Sequence, residues 1–199
     1  MTAPLTDSLG NPVTLRDESS LAALNDFVEG FIACEARAVN VLQAQADASP
    51  LVQAYCAALH MFAESADAPR NARPFIEQAL AHAHQASERE QRFVAAVAAW
   101  VDGDLPRAIA LHEEQARLNP RDLASLKLGQ YHCFNRGDSP AMLRLALQAQ
   151  HAAADVPYLH GMLAFGWEQC HRLKEAEAAA RQAIHRCRKE PWAHHALAH

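Results

Sequence analysis

Two histidines near the end of the chain have a spacing that could bind a metal ion. His195 and His199 lie four residues apart in the segment PWAHHALAH, which places two imidazoles on one face of a helix. A zinc-protease helix also needs a glutamate directly after its first histidine, and position 196 is alanine, so that chemistry is excluded. A metal site would need a third ligand. His160 is the natural candidate, because the shift that carries Pro157 onto Pro191 carries His160 onto His194. We prefer the simpler interpretation that these histidines are partly exposed polar side chains, and we predict no metal.

The other reactive residue types form no catalytic pattern. The five cysteines are scattered and never occur as C-x-x-C pairs, so we expect free thiols rather than a disulfide framework or a zinc knuckle. Neither a G-x-S-x-G segment nor a phosphate-binding G-x-x-x-x-G-K-[ST] loop is present. The sequence therefore predicts no catalytic residue and no cofactor.

Composition and charge narrow the class of partner. The 199 residues are 50% hydrophobic with seven glycines, which is enough to build a buried core. A net charge of −5 without a dense basic cluster disfavours nucleic acid as a partner. No signal-peptide pattern and no long apolar run occur in the sequence, so we expect a cytoplasmic protein that does not enter a membrane.

The elements that must position any site follow an internal repeat. The segments WVDGDLPRAIAL and FNRGDSPAMLRL align when residue numbers are shifted by a constant amount, and this shift superimposes Gly103-Asp104 on Gly137-Asp138. The same shift carries Pro157-Tyr158 onto Pro191-Trp192, so the histidine segment is in phase with the repeat. The repeating unit is predicted to be a helix, a tight turn and a second helix.

Helical periodicity extends over almost the whole chain, and no segment alternates as a strand would. Ser87 and Glu90 form a predicted capping box, and Gly103 and Gly137 are predicted to end their helices. The predicted helices cover residues 20–31, 33–47, 51–65, 71–86, 88–102, 104–118, 122–136, 139–151, 157–170, 173–188 and 190 onward.

A helix-turn-helix unit of about 34 residues with glycine at the turn resembles the tetratricopeptide repeat. More specifically, the segments DSLGNPVTL, SEREQRFVAAVAAWVDGDLPRAIALHEEQARLNPRDLASLKL, YLHGMLAFGWEQCHRLKEAEAAARQAI and PWAHHALAH resemble, in order, segments of the tetratricopeptide repeat protein 38 family. The chain departs from the pattern where His171 replaces the turn glycine and Met142 replaces a small residue. The resemblance implies an all-α, tetratricopeptide-like α-solenoid and no particular reaction.

The resemblance also implies a domain organisation. We expect an extended N-terminal arm over residues 1–18, followed by a helical-repeat domain over 19–199 of about five hairpins whose last repeat is incomplete. Because members of that family continue with further repeats, the chain resembles the N-terminal portion of a bacterial-type member. The arm should pack across the first hairpins through Leu9, Val13 and Leu15. The last helix has no polar capping partner, so we expect either fraying of its last turn or self-association through it.

The same resemblance indicates where a ligand would bind. In tetratricopeptide repeats the second, fifth, ninth, twelfth and thirteenth positions of each first helix face the concave surface. Counting from Leu123, Pro157 and Pro191, the candidate groove residues are Lys127, Tyr131, Phe134, Tyr158, Phe165, Trp192, His195 and His199. Aromatic anchors with a few polar partners suit a bound peptide or helix, so we predict a non-catalytic scaffold for protein or peptide interaction. Two alternatives stay open: a histidine-dependent or metal-binding protein that uses the concave face, or aromatic residues that are simply core.

Overall fold

The computed structural model of the protein describes residues 5–199 and is all-α. Within this range the chain forms ten α-helices, three 3-10 helices and no β-strand. The α-helices are α1 (Leu21–Ala33), α2 (Pro50–Met61), α3 (Ala68–His82), α4 (Glu88–Val101), α5 (Leu105–Leu118), α6 (Leu123–Asn135), α7 (Ser139–Ala149), α8 (Pro157–Gln169), α9 (Leu173–Arg186) and α10 (Pro191–Ala198). The 3-10 helices are Glu18–Ser20, Ala36–Ala44 and Ala83–Gln85. None of the helices in the described range is both long and apolar enough to cross a bilayer.

Successive helices pack against each other in pairs. The pairs α2 with α3, α4 with α5, α6 with α7 and α8 with α9 are in contact, and α10 packs on both α8 and α9. Each pair also contacts the next along the chain. The buried apolar side chains form a main cluster that reaches from the N-terminal segment to α8, and a small cluster of alanines between α8, α9 and α10. Small residues allow this close approach, since Ala108, Ala176, Ala180 and Ala183 are all buried.

The first pair departs from the predicted pattern. The α-helix expected over 33–47 is instead a 3-10 helix over Ala36–Ala44 that packs on α1. Cys34 adopts a left-handed conformation with φ of 54°, which ends α1 and turns the chain back. The returning backbone lies so close that a Cβ on Gly30 would sit 2.6 Å from the Ala38 nitrogen. The prediction of an α-helix here was therefore wrong, because tight packing on α1 and two valines, Val39 and Val41, disfavour a regular α-helix.

Three turns repeat the same geometry at a constant spacing along the chain. Gly103, Gly137 and His171 all have positive φ, of 80°, 70° and 56°. The amide of the residue after each donates to a carbonyl five residues back, at 2.8 to 2.9 Å: Asp104 to Ala99, Asp138 to Cys133 and Arg172 to Trp167. The first residues of helices α6, α8 and α10 are separated by the same number of residues as these three turns. The repeat predicted from the sequence is thus confirmed at its turns, and His171 adopts the conformation of the glycines it replaces.

The N-terminal segment lies across several helix starts rather than only the first hairpins. Leu9 and Val13 are buried in the core, and Leu15 packs against it. Thr14 donates from its amide and its hydroxyl to the two carboxylate oxygens of Glu90, at 2.8 and 2.9 Å. Glu90 also completes the predicted capping box of α4 with Ser87, which is confirmed. The segment is therefore held by polar groups of α4 as well as by its own apolar side chains.

A buried ion pair joins this segment to the middle of the fold. Arg89 Nη1 donates to Asp122 Oδ2 at 2.8 Å, and Arg89 Nη2 donates to the Pro12 carbonyl at 2.9 Å. Both side chains are almost fully buried. Asp122 also accepts from the Gln115 side chain and caps the start of α6 through the Ser125 amide. A single carboxylate thus joins α4, α5 and α6.

Removing this carboxylate should strongly destabilise the fold. We expect Asp122→Ala to lower the free energy of unfolding by about 3–5 kcal/mol, because it leaves Arg89 buried without its partner. Urea denaturation followed by circular dichroism measures the change. The matched control is Asp102→Ala, which removes the exposed ion pair with Arg73 and should have little effect. Equal effects of the two variants would show that burial of the pair is unimportant.

The turn conformations predict that two substitutions change the stability of the fold in opposite directions. Gly137→Ala should destabilise by about 1–2 kcal/mol, because left-handed backbone is unfavourable for a residue with a Cβ. No atom would lie within 4 Å of that Cβ, so the effect is conformational rather than steric. His171→Gly should stabilise by up to about 1 kcal/mol, since relief of strain is partly offset by the entropy of glycine in the unfolded chain. Thermal denaturation of both variants tests this, and a destabilised His171→Gly protein would contradict it.

Candidate ligand groove

The first helical pair and the later helices enclose a groove of about 690 Å³. One wall comes from α1 and the segment after it, and the other from α6, α8 and α10, with residues around the end of α2 at one side. The lining residues are Gly30, Phe31, Cys34, Glu35, Ala38, Val39, Leu59, Phe62, Glu64, Lys127, Gln130, Tyr131, Phe134, Asn135, Phe165, Trp192 and His195.

Six of the eight groove candidates line this cavity: Lys127, Tyr131, Phe134, Phe165, Trp192 and His195. The other two lie elsewhere. Tyr158 lines a separate depression with Arg121 and Asp155, beside the N-terminal segment. His199 is exposed and its ring lies 4.6 Å from that of His195.

Aromatic rings form a nearly continuous lining. The Phe165 ring centroid lies 5.5 Å from that of Phe134 and 5.0 Å from that of Trp192. On the other side, the Phe62 ring lies 5.0 Å from both Phe31 and Tyr131. Phe134 is 47% exposed, which is unusual for a large apolar side chain and shows that it is not simply core.

Lys127 is the cation of this aromatic wall. It is 4% exposed, and its Nζ lies 3.2 Å from the Trp192 ring centroid and 5.4 Å from that of Phe165. Burial lowers the pKa of Lys127 to about 7, although Cys34 and Glu190 act in the opposite direction. The groove therefore contains an amine that is partly neutral near pH 7.

Helix α10 is positioned by a buried carboxylate and an indole. Glu190 is fully buried, and its Oε2 accepts from the Ala193 amide at 2.5 Å, which caps the helix. This carboxylate lies against Gly161 of α8 so closely that any Cβ there would overlap it. The Trp192 indole donates from Nε1 to the Ile32 carbonyl at 3.0 Å. These contacts connect α10 to α8 on one side and to α1 on the other.

Two polar atoms in the groove residues have no hydrogen-bond partner. Gln130 donates from Nε2 to the carbonyls of Met142 and Met162 at 3.0 and 3.2 Å, and its Oε1 is buried and unpartnered. His195 Nε2 is also buried without a partner. Both atoms are closed off from solvent, so a molecule in the groove does not reach them in this conformation.

The three metal-ligand candidates do not converge. His195 Nε2 and His199 Nδ1 flank Glu168, at 4.0 and 3.8 Å from its carboxylate oxygens. His160 instead contacts the Ala154 carbonyl through Nε2 at 3.0 Å and lines a different depression. Among residues 5–199 no group of three or more histidine, cysteine or carboxylate side chains is arranged to bind a metal ion. The repeat shift carries His160 onto His194 rather than onto His195. The His160 side chain accordingly lies at a different surface.

A serine–histidine contact in the core was not anticipated from the sequence. Ser125 Oγ lies 2.8 Å from His112 Nδ1, the geometry of an activated nucleophile. Both side chains are fully buried, and burial together with nearby His132 holds the pKa of His112 well below 6.5. Because no substrate could reach it, we interpret the contact as a structural hydrogen bond.

The α1 wall of the groove was also missed by sequence reasoning. The sequence contained a sign of this wall, since Gly30 lies within a predicted helix and is followed by the large apolar Phe31. A glycine inside a helix often marks close packing, but the sequence did not show what would pack there.

No protein-family model matches the chain, and no solved structure matches it.

The fit of Glu190 against Gly161 can be tested by a double-mutant cycle. Gly161→Ala should destabilise by about 1–3 kcal/mol, because the new methyl group displaces the Glu190 carboxylate. In a Glu190→Ala background the same change should be markedly less damaging, since the obstructing carboxylate is gone. Urea denaturation gives the four free energies. Additive effects would mean that the two residues do not compete for space.

Proposed function

We propose that the chain is a tetratricopeptide-like α-solenoid and the N-terminal portion of a bacterial-type member of the tetratricopeptide repeat protein 38 family. The constant spacing of the turns and the pairwise packing of helices support this proposal. Its function would be that of an interaction scaffold, with the groove as its binding site.

The proposed occupant is a short peptide segment with a large apolar side chain. The observation that carries this is an aromatic groove in which a large apolar side chain, Phe134, is 47% exposed. A peptide supplies the complement of this surface, an apolar side chain that packs on the rings. Phe134 at the open side would act as an anchor, because aromatic residues bury large area with little loss of conformational entropy.

The acidic composition does not favour nucleic acid as a partner of this groove. Lys127 is the one Lys or Arg side chain among the lining residues, whereas Glu35 and Glu64 are both there. Phosphate backbones require clustered cations, so such a surface suits an uncharged apolar segment better.

A selection with matched variants tests the proposal. Random linear peptides displayed on phage would be selected against the full chain, and synthetic peptides measured by fluorescence anisotropy. We expect selected sequences to contain aromatic or large aliphatic residues, and Phe134→Ala to weaken binding at least about tenfold. The control is Leu173→Ala, because Leu173 is 54% exposed but lies outside the groove.

Two outcomes would contradict the proposal. One is that selected peptides bind Phe134→Ala and the unaltered protein with equal Kd. The other is that Leu173→Ala weakens binding as much as Phe134→Ala does, which would locate the site on another surface.

A further inference from the structure

The three lysines of the chain lie in very different surroundings. Lys174 and Lys189 are exposed to solvent, as lysine side chains usually are. Lys127 is buried in the aromatic wall of the groove, and no carboxylate oxygen of residues 5–199 lies within ion-pairing distance of its Nζ. A buried lysine without a counter-ion is a candidate nucleophile, because its neutral amine is favoured over its charged form.

We propose that Lys127 captures apolar aromatic aldehydes that enter the groove, forming an imine between its Nζ and the carbonyl carbon. This activity goes beyond the binding of a peptide and does not depend on it. The groove offers an amine, aromatic walls and an opening to solvent within one cavity of about 690 Å³.

The reaction needs no oxidant or reductant. The lone pair of the neutral Lys127 amine attacks the aldehyde carbon, a C–N bond forms, and the carbonyl oxygen takes up a proton from the nitrogen to give a carbinolamine. The nitrogen then loses its remaining proton as the C–O bond breaks, and the oxygen leaves as water. One amine and one aldehyde thus give one imine and one water.

His195 is part of the wall beside Lys127. It lines the same cavity as Lys127, and both flank Phe165: the His195 ring lies 5.2 Å and Lys127 Nζ 5.4 Å from the Phe165 centroid. Its Nε2 is buried and faces Glu168, 4.0 Å away, so His195 contributes to the wall of the groove rather than to the chemistry of Lys127.

Groups on every neighbouring element affect the charge of Lys127. Cys34 at the end of α1 and Glu190 before α10 both favour its ammonium form, as does the face of Trp192. Glu35, Glu64, Tyr131 and His195 also line the cavity. Burial outweighs these effects and lowers the pKa of Lys127 to about 7.

The walls define which aldehydes fit. Rings of Phe134, Phe165 and Trp192 favour a flat aromatic body, by stacking and by exclusion of water. A small polar aldehyde gains neither contribution, so it should react with Lys127 only slowly.

Labelling of the full chain with 2-naphthaldehyde and borohydride, which reduces the imine to a stable amine, tests the proposal. Peptide mass mapping then compares the three lysines within one molecule. Near pH 7 we expect Lys127 to be modified about 100-fold faster than Lys174 or Lys189, because exposed lysines have a pKa near 10.4 and are almost fully protonated. The rate at Lys127 should rise with pH and level off above about pH 7 to 8.

A variant and a second aldehyde separate the chemistry from general reactivity. Lys127→Arg keeps the positive charge but cannot form the imine, so naphthyl labelling should fall to the level of the exposed lysines. Glyceraldehyde should prefer Lys127 less strongly than 2-naphthaldehyde does, because it keeps the advantage of a neutral amine but gains no stacking on the rings. Circular dichroism of the variant confirms folding.

Equal labelling of all three lysines in the unaltered protein would overturn the proposal, and this comparison needs no variant. A rate at Lys127 that rises only near pH 10 would overturn it as well. Neither result bears on peptide binding, which is measured without an aldehyde, so failures of the two proposals are distinguishable.

Discussion

The buried ion pair between Arg89 and Asp122 is the interaction on which the rest of the structure depends. One carboxylate neutralises Arg89 of α4, accepts from Gln115 of α5 and caps α6. Arg89 in turn donates to the Pro12 carbonyl, so the N-terminal segment is fixed to the same point. Since burial makes an unpaired charge very unfavourable, these elements are constrained to meet in one arrangement. Lys127 and Tyr131, farther along α6, are thereby placed in the groove wall.

The groove also depends on contacts between parts of the chain that are far apart in sequence. A linear array of repeats would bring each pair against its neighbours alone. Here α1 also packs on α6, and the Trp192 indole donates to the Ile32 carbonyl across 160 residues. The groove is consequently bounded on two sides, and Lys127 in its wall is only 4% exposed.

Both proposed properties of the groove belong to its aromatic lining. Aromatic walls suit an apolar peptide. Burial in these walls lowers the pKa of Lys127 and leaves its amine without a counter-ion. The proposed binding and the proposed reactivity therefore both depend on the aromatic walls of one groove.

The sequence by itself determined the helical class, the constant spacing of the turns and the capping box at Ser87, because these depend on contacts within one or two turns of chain. Counting by the repeat also indicated Lys127 and Phe165, which do line one cavity. Only the tertiary structure decided that α1 forms the opposite wall and that His160 lies on another surface. Periodicity specifies which face of a helix is buried, but the small rotations between successive pairs add up, and their sum decides which distant faces meet.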